Sequence, residues 1–345
     1  MFTLLFFGII FVVSFFLTRL IYGYALKKRL IDEPNIRGSH NRPTPRAGGL
    51  SIAVLFLASI GVFAITGKMP QAPFLALFVG GLMVAGIGFL DDHGHVLPRW
   101  RILVHFIAAA WALWWIGGLP QVQLGATIWQ AGWIGHLLAL LFVVWLLNLF
   151  NFMDGIDGVA GVETITVSAG AALILLDDGN LNIPLWLGVL AAATAGFLIW
   201  NWPPAKLFMG DSGSGFLGFV FGVLVIYTAN VGLLSPWIWA ILLAVFVCDS
   251  TFTLIRRVGR REKWYAAHRS HGYQRLALHL HSHLKVTVGV SAINVVWLLP
   301  LAWLAHLFPD YELLLAAIAY VPLIILARVL GAGKNDQAAF ENPPA

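Results

Sequence analysis

Charge is scarce in this 345-residue chain: 11% of residues are Asp, Glu, Lys or Arg, while 59% are hydrophobic. A soluble domain carries about 25% charged residues because its surface faces water. Soluble, disordered and fibrous classes are therefore excluded. Cysteine is nearly absent as well. Cys248 stands alone inside an apolar run, which excludes a disulfide framework and a cysteine-based metal site. Long polar stretches are missing too, leaving no room for a separate soluble domain.

What is present is apolar sequence in blocks. A helix needs about 20 apolar residues to cross the hydrocarbon core. Eleven such stretches are read, at about 2–20, 47–66, 73–90, 102–119, 133–150, 158–176, 184–200, 213–231, 236–255, 286–306 and 311–330. Lone charges such as Glu163 and Asp249 leave each stretch intact. The expectation is an all-α, polytopic integral membrane protein with about eleven transmembrane helices. It would form one membrane-embedded domain over 1–345, with a basic cytoplasmic loop at about 256–285 and a short tail at 331–345.

The first stretch is an anchor and not a signal peptide. No Lys or Arg precedes it, while Arg19, Lys27, Lys28 and Arg29 follow, and no small-residue cleavage site is evident. Placing the N-terminus outside and the C-terminus in the cytoplasm puts 20 of the 21 Lys and Arg residues in inner segments or at inner helix ends, with Lys68 the exception. That is the positive-inside signal. The pI near 9.5 thus points to anionic lipid headgroups and phosphorylated substrates, with no nucleic acid among the partners.

The same parity brings Asp91, Asp92, Asp154, Asp157 and Asp211, from three separate loops, to the cytoplasmic face. His40, His93, His95, His105, His268, His271, His279, His281 and His283 fall there too. Outer loops hold little beyond Asp177, Asp178, Asp310, Glu312 and two histidines. The chemistry is expected on one face.

The first inner loop contains Asp32, Pro43-Thr44-Pro45-Arg46 and Gly48-Gly49; Arg37, Arg42 and Arg46 suit a phosphate clamp, though a lipid anchor reads the same way. In the second, adjacent Asp91 and Asp92 repel, and an Asp at a helix centre costs roughly 3 kcal/mol. A divalent cation or a shared proton would relieve that repulsion, as would a solvated helix end. In the third, Asn148, Asn151 and Asp154 recur every three residues and share a helix face, followed by Gly155, Asp157, Gly158 and Gly161. Helix packing explains the glycines but not the two aspartates.

The fourth loop, Asn201 to Gly215, ends one helix at Pro203-Pro204 and caps the next with Asp211 or Ser212, offering free N–H groups and Lys206 to a phosphate. It lacks the Gly-Lys-Ser/Thr ending of a Walker A loop. The fifth is basic and aromatic, with His268, Arg269 and His271 suited to a diphosphate and no metal-ligand spacing around them. His279, His281 and His283 are read as surface residues. Asp249, seven residues before Arg256, is expected to pair with a basic side chain that the sequence does not identify.

Acidic pairs, arginines and a Gly-rich helix start beneath a helical bundle point to Mg²⁺-assisted chemistry on phosphates, with Mn²⁺ as an alternative. Mg²⁺ is usually held by one or two carboxylates plus substrate phosphates. A secondary transporter, the rival from another class, would place its polar site near the midplane.

Four ordered motifs and the basic loop now become specific together: Pro43 to Gly49, Asp91-Asp92, Asn148 to Gly161, Asn201 to Ser214 and 256–275. Their order and spacing resemble the bacterial polyprenyl-phosphate N-acetylhexosamine-1-phosphate transferases, which include phospho-N-acetylmuramoyl-pentapeptide transferase and the O-antigen-initiating enzymes. The resemblance covers nearly the whole chain. It implies transfer of a sugar 1-phosphate from a UDP-sugar to undecaprenyl phosphate, with release of UMP, at the cytoplasmic side of the bacterial inner membrane. A homodimer is compatible with it.

Carried over position by position, Asp211 resembles the principal Mg²⁺ ligand, with Asp154 beside it. Asp91 and Asp92 resemble the pair that handles the lipid phosphate, and Asp154, Asp157, Asn148, Asn151 and Asn201 match positions around nucleotide and metal. Thr44, Arg101, Lys206, His268, Arg269 and His271 would contact nucleotide or phosphate. The resemblance gives Asp91 as a base or nucleophile and leaves both direct attack and a phosphorylated aspartate open. Direct attack by the lipid phosphate, assisted by Asp91, is favoured because that phosphate is already ionised. One departure stands out: where many members read His-x-His-His, this chain reads His271-Gly272-Tyr273-Gln274. That variant resembles enzymes using UDP-N-acetylfucosamine or UDP-N-acetylquinovosamine. UDP-GlcNAc and the peptidoglycan precursor are the alternatives.

Overall fold

In hydrocarbon every backbone N–H and C=O must be satisfied inside its own segment, so each apolar stretch has only the helix open to it. The computed structural model describes residues 2–33, 42–94, 96–119, 122–124, 127–129, 132–262 and 269–334. In chain order it contains α1 (Phe2–Lys28), β1 (Ile31–Asp32), β2 (Thr44–Pro45), α2 (Leu50–Ile65), α3 (Gln71–Gly94) and α4 (Pro98–Ile116). Next come β3 (Val122–Leu124), β4 (Thr127–Trp129), α5 (Gly132–Met153), α6 (Val159–Asp177), α7 (Asn182–Asn201) and α8 (Asp211–Asn230). The last third holds α9 (Pro236–Leu242), α10 (Ala244–Gly259), α11 (Gly272–Leu280), α12 (His283–Ala292), a π-helical stretch Ile293–Leu298, α13 (Leu299–Leu307) and α14 (Glu312–Val329).

All eleven expected stretches are helical, but fewer than eleven qualify as spans by length and composition. Among the described residues eight helices are long and apolar enough, or nine if α9 and α10 count as one. The ninth stretch is not a single rod, because α9 and α10 meet at 83°. Neither Pro nor Gly marks the break; Leu243 simply sits near the bridge region at φ −90°, ψ 7°. Helix α2 has 16 residues, about 24 Å at 1.5 Å per residue, short of a roughly 30 Å core. Helix α4 opens with Arg99 and Arg101, which lowers its hydropathy.

Helix α8 is the centre of the bundle, with every residue from Ser212 to Ile226 buried. Lipid is as apolar as the side chains, so helices associate by close packing of small residues. A Cβ on Gly213 would lie 2.6 Å from the Cα of Gly49 at the start of α2. Backbone therefore meets backbone there, and only glycine fits. The rim faces lipid, as with Leu4 and Leu20 of α1, 76% and 70% exposed. Within the span of α6, buried Glu163 accepts a 2.7 Å hydrogen bond from Asn294 Nδ2 in the π-helical stretch, so its partner is a neutral amide.

Among the described residues two antiparallel strand pairs accompany the helices. In the first, Asp32 pairs with Thr44 and Ile31 with Pro45, which sets both ends of the first loop beside the ends of α3 and α8.

Candidate active site

Asp91 and Asp92, adjacent in sequence, have separate duties. Asp91 Oδ1 accepts from Val96 N at 2.7 Å, and its Oδ2 lies 2.8 Å from Arg101 Nη1. The same Arg101 Nη1 is 2.8 Å from Asp211 Oδ2, so one guanidinium on α4 joins the end of α3 to the start of α8. Asp92 instead turns onto α8, accepting from Asp211 N at 3.1 Å and Ser212 N at 3.2 Å. The helix cap expected from Asp211 or Ser212 is thus supplied from another helix, and two N–H groups expected to face a phosphate are occupied. Gly210, at φ +74°, holds a left-handed turn in which any side chain would strike the Asp92 carboxylate. Arg46 ties this corner down through the carbonyls of Asp92 and Asp91, at 3.1 and 3.4 Å.

The polar strip at the end of α5 is shorter than its spacing suggests. Asn148 Nδ2 folds back onto Val144 O of its own helix at 2.7 Å. Asn151 faces the site, donating to Asp211 Oδ1 at 2.9 Å and to Ser214 Oγ at 3.2 Å. Asp154 N still bonds to Phe150 O, which carries the strip one turn further to its carboxylate. Asn201 braces the turn that follows: its Oδ1 accepts from Gly158 N at 2.9 Å and its Nδ2 donates to Leu207 O at 3.0 Å. Asp157 Oδ2 accepts from Ala205 N at 3.0 Å.

Asp32, Asp92, Asp154, Asp157 and Asp211 all line a cavity of about 210 Å³, facing Arg46, Asn151, Asn201 and Gln274. A larger cavity of about 530 Å³ adjoins it, with Asp157, Phe208 and His283 in both walls and Arg42, Thr44 and Arg269 in its own. Burial, and then the charges of Asp211, Asp157 and Asp92, push the Asp154 carboxyl well above the usual carboxylate range. A carboxylate so crowded by like charge is stabilised by a cation. Among the described residues no three acidic, histidine or cysteine groups converge as a complete metal-ligand set. Asp154 and Asp211 in one wall nevertheless suit a hard cation that takes one or two carboxylates and completes its shell with substrate oxygens.

The other expected contacts divide. Thr44 and Arg269 line the larger cavity. Lys206 is exposed and lines neither cavity. His268 lies outside the described residues, as do Arg37, His40 and His95. His271 is buried behind the wall, its Nδ1 3.2 Å from Asp249 Oδ1, and lines neither cavity. Asp249 also accepts from Gly272 N at 3.0 Å and Tyr273 N at 2.7 Å, so its sought partner is chiefly the start of α11. Burial raises the Tyr273 phenol well above its usual range, keeping it protonated as a donor to Phe152 O at 2.9 Å.

His283 corrects the surface reading. Its Nδ1 is 3.2 Å from Asp157 Oδ2, and it lines both cavities. His281 lines the larger cavity as well, while His279 is exposed. Alternating histidines in a polar stretch gave no hint of a partner 126 residues away. His283 Nδ1 also accepts from Asp157 N at 3.4 Å, and loss of one neutral hydrogen bond costs about 0.5–1.5 kcal/mol, so His283→Ala is expected to lower kcat/KM by up to about tenfold. Thermal denaturation in detergent should change little. Unaltered kinetics would leave the pair without a functional role.

The pattern of glycosyl transferase family 4 matches residues 74–229. Over 321 residues the chain is 30% identical to the probable undecaprenyl-phosphate N-acetylglucosaminyl 1-phosphate transferase of Bacillus subtilis, covering 91% of this chain and 88% of that protein. It is 30% identical over 232 residues to the phospho-N-acetylmuramoyl-pentapeptide-transferase of Moorella thermoacetica, covering 63% and 70%. It is 28% identical over 274 residues to the undecaprenyl-phosphate alpha-N-acetylglucosaminyl 1-phosphate transferase of Haemophilus influenzae, covering 76% and 73%.

Proposed function

The chain belongs to glycosyl transferase family 4 as a polyprenyl-phosphate hexosamine-1-phosphate transferase, and we propose that it transfers N-acetylhexosamine 1-phosphate from a UDP-sugar to undecaprenyl phosphate. The observation that carries this reading is one cavity, lined by aspartates from four interhelical connections and by Arg46, at the helix ends of a membrane bundle. A soluble nucleotide sugar can enter such a site from water while a lipid phosphate reaches it from the bilayer. The distribution of Lys and Arg supports placing it on the cytoplasmic side of the bacterial inner membrane.

In the proposed reaction an oxygen of the lipid phosphate forms a bond to the phosphorus that carries the sugar. The bond from that phosphorus to the bridging oxygen breaks, and UMP leaves with the oxygen. Because the attacking phosphate is already ionised, no base has to remove a proton. Asp91 assists by holding Arg101, whose guanidinium can turn from its carboxylates to the incoming phosphate. Asn151 fixes one oxygen of Asp211, and Asp92 fixes the backbone beneath it. Asp154 and Asp211 would hold Mg²⁺, or Mn²⁺ in its place. The bound ion supplies positive charge to the phosphoryl oxygens as they develop negative charge.

The Gly272-Tyr273-Gln274 sequence favours a 6-deoxy donor, UDP-N-acetylfucosamine or UDP-N-acetylquinovosamine, ahead of UDP-GlcNAc. The product would begin a lipid-linked surface glycan such as O-antigen. Purified protein in detergent with Mg²⁺ and undecaprenyl phosphate is expected to release UMP from at least one of these donors. Release from none of them, with the peptidoglycan precursor active instead, would reassign the donor. Chelation by EDTA is expected to lower the rate at least about 100-fold, and added Mg²⁺ or Mn²⁺ to restore it. An EDTA-resistant rate would remove the cation from the proposal.

A further inference from the structure

Helix α14 ends in a buried strap. Gly331, at φ +74°, turns the chain, its N–H on Arg328 O at 3.1 Å and that of Ala332 on Ala327 O at 2.9 Å, as in a helix closed by glycine. Gly333, at φ +72°, turns it again, and Gly331, Ala332 and Gly333 are all buried. Three carbonyls here each receive a guanidinium: Leu330 O from Arg275 Nε, Ala332 O from Arg256 Nη1 and Gly333 O from Arg260 Nη1, all at 2.8 Å. The C-terminus of a helix carries partial negative charge, so cations are favoured there. The sequence offers these arginines to anionic headgroups, but the fold turns them onto backbone.

What the strap grips lies beside the larger cavity. Gly333 N donates to Ser270 O at 2.7 Å, and Arg257 Nη1 donates to Ser270 Oγ at 3.3 Å. Asp249 takes the next main-chain N–H at Gly272. Residues 269–271 belong to no helix or strand, so their main chain is held by such bonds. The side chain of Arg269 stands in the wall of the larger cavity, one position before the gripped Ser270. The strap also fits tightly: a Cβ on Gly333 would lie 2.9 Å from Arg256 Cβ and 3.0 Å from Thr253 O.

We propose that residues 331–333 are a positioning segment, which by gripping Ser270 keeps Arg269 in place to receive the UDP-sugar. This assignment rests on the reading that the site takes a UDP-N-acetylhexosamine. Arg269 would be the substrate contact, and the strap acts through it. A guanidinium serves an anion only when its fork is correctly aimed, so a slack strap weakens binding of the nucleotide sugar and leaves the bound complex able to react.

The test compares wild type with Gly333→Ala, which forces the strap off Thr253 and Arg256, and with the pair Arg256→Met and Arg260→Met, which frees two of its carbonyls. Gly259→Ala, with open space around its would-be Cβ, is the control and should match wild type. Both strap variants are expected to raise KM for the UDP-hexosamine about tenfold, with kcat within about twofold of wild type. Arg269→Ala should do the same, and adding it to Gly333→Ala should raise KM no further, because contacts that act as one unit are not additive. Hydrogen exchange over residues 269–275, measured without substrate, should quicken in both strap variants. An unchanged KM, a kcat loss at constant KM, or effects that multiply to about a hundredfold in the combined variant overturns the assignment. Unaltered exchange does so as well. If wild type releases UMP from no UDP-hexosamine, the functional reading fails while exchange still judges the grip on Ser270; if wild type is active and the strap variants match it, only the assignment of the strap fails.

Discussion

Asp211→Asn is expected to lower kcat by about a thousandfold while the protein still inserts and purifies as a folded species. The substitution keeps the size of the side chain, and an amide oxygen can still accept from Asn151, which now sits 2.9 Å from Asp211 Oδ1. Arg101 keeps its second carboxylate, Asp91, at 2.8 Å, so no cation is stranded. What disappears is one negative charge in the wall where a phosphoryl group and its cation would meet. The effect should therefore fall on turnover and leave the melting temperature within a few degrees of wild type. UMP release measured across a Mg²⁺ series decides it. A variant that matches wild type at every Mg²⁺ concentration ends the role given to Asp211.

The second large effect needs no change of charge. Gly88 of α3 is buried where the start of α8 crosses it, and a Cβ there would lie 2.5 Å from Asp211 O and 2.6 Å from Ser212 N. Both are backbone atoms and cannot swing away, so Gly88→Ala must push the two helices apart. The Asp92 bonds to the first amides of α8, at 3.1 and 3.2 Å, would stretch beyond use, and Asp211 would move with them. Overpacking of this kind costs about 1–3 kcal/mol, and misplacing a reacting group by about 1 Å costs on the order of 100-fold in rate. Gly86→Ala, on the same helix with open space around its would-be Cβ, should behave as wild type. Equal activities for the two variants would show that this crossing does not hold the site.

Much of the site can be read from sequence because membrane insertion exaggerates its signals. Carboxylates are too costly to leave within apolar stretches without cause, so Asp91, Asp92, Asp154, Asp157 and Asp211 stand out by position alone. The cavity shared by all of these except Asp91 follows that pattern. Pairings made in three dimensions are hidden. Asp92 caps a helix that begins 119 positions later, and Asp249 caps one 23 positions later, without any local motif. His283 looks like an ordinary polar residue until the turn at 154–157 is folded against it. Asn148 shows the converse, since a threefold spacing puts it on the right face and its amide then turns back onto its own helix. The bend at Leu243 has no Pro, Gly or charge to announce it, because apolar sequence continues through a break as readily as through a straight helix.

The roof over the acidic turn comes from a late part of the polypeptide. Tyr273, Gln274 and His283 all rest on residues 152–157, which leave the ribosome more than a hundred positions earlier. During synthesis the three aspartate-bearing hairpins can therefore be in place in the bilayer while their cover is still unmade. The acidic turn thus acquires its cover only once α11 and the first turn of α12 have been made.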